Sequence, residues 1–259
     1  MANKNFSVII YILSSILVLT LSLFIYRIIT NNTNLKANGE LTSSKYNVKK
    51  VYNDYNVKPS KIATYQNANN DHYSVGLSSA DVILEFLSDS YGITYKAIFN
   101  ENAAKNISSR VTLDEYSNSH LPKFNFSKDA LIPPASNSNA TSIFITFNED
   151  ASSNFLYENG QYYHYRGLQM DNDNNTPIKL TNVIVQFING NITNDETLTL
   201  SDNYGDGLLF CGGTVAKVKW SSQKFSETSL KTETGGEVLL NPGATWWIFV
   251  NKDRSVAYD

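Results

Sequence analysis

The chain has 259 residues with 21 basic and 24 acidic side chains, a formal net charge of −3 at pH 7. Beyond residue 29 the balance is 19 basic to 24 acidic, which excludes the basic footprint of a general nucleic-acid binder. The single cysteine, Cys211, excludes an internal disulfide and any Cys-based zinc site.

Phe6 to Tyr26 is a run of 21 residues without a charge. At about 1.5 Å per residue it is long enough to cross a hydrocarbon core of roughly 30 Å. A cleaved signal peptide is the competing reading, but its apolar region is usually about 7–15 residues and ends at a small-residue site. Here Arg27-Ile28-Ile29-Thr30 follows with no Ala-x-Ala. The expectation is a single-pass anchor over 1–29. Lys4 and Arg27 flank it almost evenly, so charge says little about orientation. The expected arrangement puts the N-terminus inside and residues 30–259 outside. Residues 30–60 are polar, carry Lys45, Lys49, Lys50 and Lys58, and read as a tether.

The pattern then changes. Val82–Leu87 and Ile93–Phe99 are β-rich runs separated by Ser88-Asp-Ser-Tyr-Gly92, which predicts a hairpin; Ser78-Ser79-Ala80-Asp81 would instead cap a helix over 80–90. Asn102–Tyr116 is helical in patches, and 117–140, with Pro122 and Pro133-Pro134, reads as a loop and boundary. From Ser142 strands follow closely. Asn159-Gly160 between Phe155–Glu158 and Gln161–Tyr165 predicts a type I′ hairpin. Asp171–Pro177 is a turn and Ile178–Ile188 one long strand. Shorter strands are expected at Thr197–Leu200, Gly207–Phe210, Val215–Trp220, Glu237–Leu240 and Thr245–Val250. The fold class is α+β: a transmembrane helix, a small reduced α/β part over 61–141, and an antiparallel β-rich domain over 142–259 with a core of its own.

Several strings occur together in order. They are Gly76-Leu-Ser-Ser-Ala-Asp81-Val-Ile-Leu-Glu85, Gly92-Ile-Thr94 with Ala97-Ile-Phe99, Thr181-Asn-Val-Ile-Val-Gln186, Gly205-x-Gly207 through Gly212-Gly213, Val218-x-Trp220, and Leu240-Asn-Pro-Gly243-x-Thr-Trp246. The set resembles the YerB-like lipoprotein family of Gram-positive bacteria, a two-part domain of unknown function. The resemblance implies a membrane-attached, extracytoplasmic protein and no established chemistry. The chain departs from the family pattern in five places. An apolar segment stands where the family has a lipid-attachment cysteine, and the N-terminal part is shortened. Only Arg110 remains of a two-arginine run. Tyr95-Lys96 and Gln169-Met170 replace a family arginine and a Pro-His pair.

Sequence chemistry is sparse. His72, His120 and His164 have no metal-ligand spacing, and His164 among tyrosines reads as a surface or half-buried residue. Asp171-Asn-Asp173-Asn-Asn175 has the odd-position oxygens of a calcium loop, but Thr176 and Asn182 occupy the places of its Gly and Glu, so a turn is the reading. Cys211 reads as a buried thiol. No catalytic residue, metal or cofactor is assigned. The binding candidates are Asp81, Glu85, Arg110 and Trp247. Glu85 paired with Arg110 would make a polar pocket. Trp246 and Trp247 face opposite sides of a strand, which leaves Trp247 as an exposed anchor for a cell-wall glycan or an envelope protein. The expected function is a non-catalytic envelope-binding module anchored through residues 6–26. The alternative is an extracytoplasmic hydrolase of wall polymers, with Glu85 or Asp81 as acid/base and Arg110 holding an anionic group.

Overall fold

Alternation of apolar residues on both faces of the same strands is what builds this molecule. The structure, a computed structural model, describes residues 57–66, 75–88, 92–116, 124–127, 138–190, 192, 200–222 and 227–259. These all fall within one compact unit, Lys50–Asp259. The expected anchor at 6–26 and most of the tether lie outside the described residues, as do His72 and His120. Among the described residues no helix is long and apolar enough to cross a membrane.

In chain order the strands are β1 (Lys61–Tyr65), β2 (Val82–Ser88), β3 (Gly92–Phe99), β4 (Asp114–Glu115), β5 (Ser142–Thr146), β6 (Ser152–Glu158), β7 (Gln161–Arg166), β8 (Gln169–Met170) and β9 (Asn172–Asp173). They continue with β10 (Thr176–Pro177), β11 (Lys179–Leu180), β12 (Asn182–Ile188), β13 (Tyr204–Cys211), β14 (Thr214–Ser221), β15 (Ser229–Thr232), β16 (Thr245–Asn251) and β17 (Val256–Tyr258). One α-helix, α1 (Glu101–Ile107), follows β3; Asn100 caps it by accepting from the Ala103 N–H. The described protein is thus mostly β, with α1 and a 3-10 turn at Leu77–Ser79 as its helical elements.

A nine-stranded sheet runs β15-β14-β13-β12-β16-β2-β3-β1-β4, and a six-stranded sheet holds β11-β7-β6-β5-β17 with β8 added beside β7. Pairing is antiparallel except at β16, which lies parallel to both β12 and β2. Strands buried on both faces read as continuous apolar runs, and β16 (Thr-Trp-Trp-Ile-Phe-Val) does so. Segments 61–141 and 142–259 therefore share one sheet: β2 and β3 from the first lie directly against β16 from the second.

Two cores result. Ile83, Tyr95, Val183, Phe210, Trp246 and Ile248 point from the large sheet toward Ile143, Phe155 and Tyr162 of the small one. Leu84, Phe86, Ile184, Trp220, Trp247 and Phe249 point the other way, where Phe124, Phe126 and Leu240 cover them.

Sequence expectations meet this fold unevenly. β2 and β3 form the hairpin rather than a helix. Asn159 and Gly160 both have positive φ, 51° and 86°, as a type I′ turn requires. The single strand over 178–188 is instead two: β11 belongs to the small sheet and β12 to the large one. The chain changes layer at Thr181, whose N–H, like that of Asn182, donates to the Ala244 carbonyl. Gly243 makes that crossing possible; it has φ 143°, and a Cβ there would overlap the Thr181 side chain. Glu237–Leu240 makes only isolated bridges, and β1, β15 and β17 are strands the pattern did not announce.

Candidate sites: a sealed polar cluster and an open cavity

β2 places Glu85 in the middle of its inward face, between Ile83 and Leu87, and leaves it 1% exposed. The second sheet covers that face, so this carboxylate does not meet water. Its hydrogen-bond partners come from two other strands, and a third strand joins through one of them. Trp246 on β16 donates through Nε1 to Oε2 at 2.6 Å. Ser153 on β6 donates to the same oxygen at 2.8 Å. The Ser153 hydroxyl also lies 2.8 Å from Nε2 of His164 on β7. His164 Nδ1 is 3.0 Å from Asp171 Oδ2, and Arg166 Nη2 donates to Asp171 Oδ1 at 2.7 Å. The imidazole stacks on the Trp246 ring, centroids 4.1 Å apart, with Phe155 and Tyr95 against it. His164 is therefore fully buried, not the surface or half-buried residue its tyrosine neighbours suggested.

Local folding explains the convergence. The β6–β7 register sets Phe155 opposite His164, so the histidine shares a face with a core phenylalanine. The tight β7–β8 return then brings Asp171 back beside it: the Asp171 N–H donates to the His164 carbonyl, and the His164 N–H donates to the Ile178 carbonyl. Burial raises the Glu85 carboxyl above its ordinary range, against the opposing pull of His164 and of the hydrogen bonds from Ser153 and Trp246. Burial, reinforced by the Glu85 and Asp171 charges, holds the Tyr95 phenol well above its usual value.

Ser153, His164 and Asp171 reproduce the nucleophile, base and orienting carboxylate of a hydrolytic triad in their distances. Three features separate them from a working one. Glu85 competes with His164 for the serine proton, the imidazole is covered by Trp246, and none of the three side chains has solvent contact. Acyl transfer needs a place within about 3 Å of the nucleophile for a reacting carbon, and this packing provides none.

The second site is open. Arg110, three residues past α1, donates to Asp173 Oδ1 at 3.2 Å, and Ser78 donates to Asp173 Oδ2 at 2.7 Å. Asp173 is on β9, whose hairpin with β10 turns through Asn174 and Asn175, both at positive φ. The turn reading of 171–177 is realised here, with Asp171 and Asp173 both inward. Arg110 keeps 36% of its side chain exposed and lines a cavity of about 820 Å³. Its walls include Lys61, Lys105, Glu101, Glu115 and Ser108. Lys61 is paired with Glu115, and Lys105 with Glu101 at 2.7 Å. At Gly76, φ 87°, a Cβ would come within 3.1 Å of Ile107 and 3.4 Å of Tyr65 and Val111, so a side chain there would be both strained and crowded.

The structure separates the four sequence candidates. Asp81 accepts from the backbone N–H and the side-chain amide of Asn100, and burial raises its carboxyl while those bonds oppose the rise. Glu85 is in the sealed cluster and Arg110 at the cavity, so the two do not open on one cleft. Trp247 is 1% exposed and donates to Gln186 Oε1 at 3.0 Å; the exposed-anchor reading is corrected because the outer face of β16 is also a core. Ser153, His164, Arg166, Asp171 and Asp173 went unassigned in the sequence. Cys211 is buried, and burial pushes its thiol up to about 12. Among the described residues no cluster of His, Cys, Asp and Glu is arranged to hold a metal ion.

The two-layer β architecture with a parallel central strand, and part of the sequence, are similar to those of YerB-like domains of unknown function. Residues 143–247 match the family described as "Protein of unknown function (DUF3048) C-terminal domain". Among solved structures, the crystal structure of the YerB protein from Bacillus subtilis superposes with a TM-score of 0.54 at 13% identity, covering 81% of this chain and 98% of that one. At that identity the likeness is one of fold. No curated protein matches the sequence.

Proposed function

We propose that the protein is a membrane-anchored, extracytoplasmic binding module without catalytic activity, whose ligand enters the cavity beside Arg110. The observation that carries this reading is the division of polar groups. The nucleophile–base pair is sealed between sheets, whereas the exposed guanidinium stands in an 820 Å³ cavity. Asp173 and Ser78 fix Arg110 from behind, which lowers the ordering cost of using its free edge on a ligand. Cations, carboxylates and serine hydroxyls share the walls. Such a lining suits a hydroxylated, partly anionic polymer such as a cell-wall glycan better than an apolar ligand. The uncharged run at 6–26 supports attachment to the membrane.

Two measurements test the proposal. Full-length protein is co-sedimented with purified wall material, with Arg110→Ala alongside; the expected result is binding by the wild type and at least tenfold weaker binding by the variant. Equal sedimentation of both removes the cavity from the account. Protease added to intact protoplasts should digest residues 30–259, and a protected fragment of that size overturns the outside placement.

A further inference from the structure

We infer that the sealed cluster stores one proton, shared between Glu85 and His164 through the hydroxyl of Ser153. The argument is a count of hydrogens along one bonded line. Trp246 Nε1 donates only, and it donates to Glu85 Oε2. Ser153 has a single hydrogen and two neighbours at 2.8 Å, Glu85 Oε2 and His164 Nε2. When that hydrogen points at Glu85, Nε2 must supply the hydrogen to Oγ. Nδ1 meanwhile faces Asp171, an acceptor already held by Arg166. The imidazole then carries both hydrogens. When the serine hydrogen points at Nε2 instead, the Glu85 carboxyl must supply the one that reaches Oγ, and His164 keeps only Nδ1–H. The two patterns hold the same number of protons and differ by two short hops.

Removing that proton leaves two hydrogens, one on Ser153 and one on His164, for three contacts at 2.8, 2.8 and 3.0 Å. The serine oxygen faces a bare carboxylate oxygen, or it faces the lone pair of Nε2, or the lone pair of Nδ1 faces the Asp171 carboxylate, and in each case the contact is buried away from water. Charge gives the same answer. Of the groups facing the site, β2 contributes Glu85, β3 contributes Tyr95, β7 contributes His164 and Arg166, and the link after β8 contributes Asp171; β6 and β16 contribute only Ser153 and Trp246. With the proton, two carboxylates are balanced by Arg166 and the stored charge. Without it, one uncompensated negative charge sits between the sheets, which is the costly case for a buried group.

The consequence is proton uptake on folding. In the unfolded chain Glu and His release protons near about 4.3 and 6.5, so above pH 7 the unfolded pair holds almost none and the folded pair holds one. The folded state then binds the extra proton, and stability falls as pH rises, about tenfold in the folding equilibrium constant per pH unit for one proton.

The test refolds the full-length chain from urea in detergent micelles at pH 7.5, in weak buffer with a pH indicator. Wild type is expected to take up about one proton per chain more than the double variant Glu85→Gln/His164→Gln, in which no group can store it. Equal uptake by the two overturns the inference. Should the double variant not refold, the wild-type urea midpoint between pH 7 and 8 decides. A folding constant that drops about tenfold over that unit supports the stored proton, and a flat profile refutes it.

Discussion

Asp171 and Asp173 are two positions apart and both buried, yet the groups they hold differ in exposure: His164 has no solvent contact, whereas Arg110 keeps 36% of its side chain exposed. Asp171 enters the layer between the sheets and is bound by His164 and Arg166. Asp173 reaches the edge of the same layer and holds Arg110 at an open cavity. A strand's twofold alternation sends both inward past the exposed Asn172. What differs is the partner's cover: Trp246, Phe155 and Tyr95 pack around the His164 ring that Asp171 holds, while Asp173 holds Arg110 at the cavity wall with Ser78. One kind of carboxylate thus becomes a structural staple in one place and a brace for an exposed arginine in the other.

The comparison is broken most severely by removing the staple. Asp171→Ala leaves the Arg166 guanidinium and the His164 ring without the carboxylate they share, and breaking a buried pair of this kind costs about 3–5 kcal/mol; urea unfolding of the full chain should show a loss of that size. Trp246→Ala should fall in a similar range, about 3–5 kcal/mol, because it empties a large core volume and strips a donor from Glu85. Asp173→Ala should cost less, about 1–3 kcal/mol, since it frees a half-exposed arginine and the Ser78 hydroxyl. The same variant should weaken wall binding nearly as much as Arg110→Ala, by letting the guanidinium wander. Lys105→Ala, whose partner Glu101 is solvent-exposed on α1, should leave the unfolding midpoint unchanged.

Cys211 sharpens the sealed side independently. Burial raises its thiol to about 12, so at pH 8 it is protonated and inaccessible. A thiol reagent at pH 8 should leave the native chain unlabelled and modify the urea-unfolded chain fully. Because the ordinary cysteine value is near 8.5, this raised group contributes stability that is present below that pH and is lost as pH climbs toward the folded value.

Much of the fold was legible because it obeyed local rules. Asn159-Gly160 specified its hairpin through positive φ, and the Val82–Phe99 region specified another through β-branched runs around a polar turn. The layer change at Thr181 was not legible, because Ile178–Ile188 is an unbroken apolar-rich run and only the distant Gly243 makes room for the crossing. The sealed cluster was hidden for a related reason. Its members lie at 85, 153, 164, 171 and 246, and sequence spacing does not report which strands will face each other across two sheets. A clue was present in His164, which alternates with Tyr162 and, once the Asn-Gly register is counted out, sits opposite Phe155. Glu85 and Trp247 were misplaced by one assumption: that each strand has a wet face. In β2 and β16 neither face is wet.

The most direct test of the account is whether Ser153 is reachable. Full-length protein incubated with a fluorophosphonate probe, which labels serines activated by a neighbouring base, should remain unlabelled at Ser153 under native conditions, because the hydroxyl is sealed between the sheets and shared between Glu85 and His164. Stoichiometric labelling that disappears in Ser153→Ala would show that the Ser153–His164–Asp171 line opens to substrate, and the non-catalytic reading would be wrong.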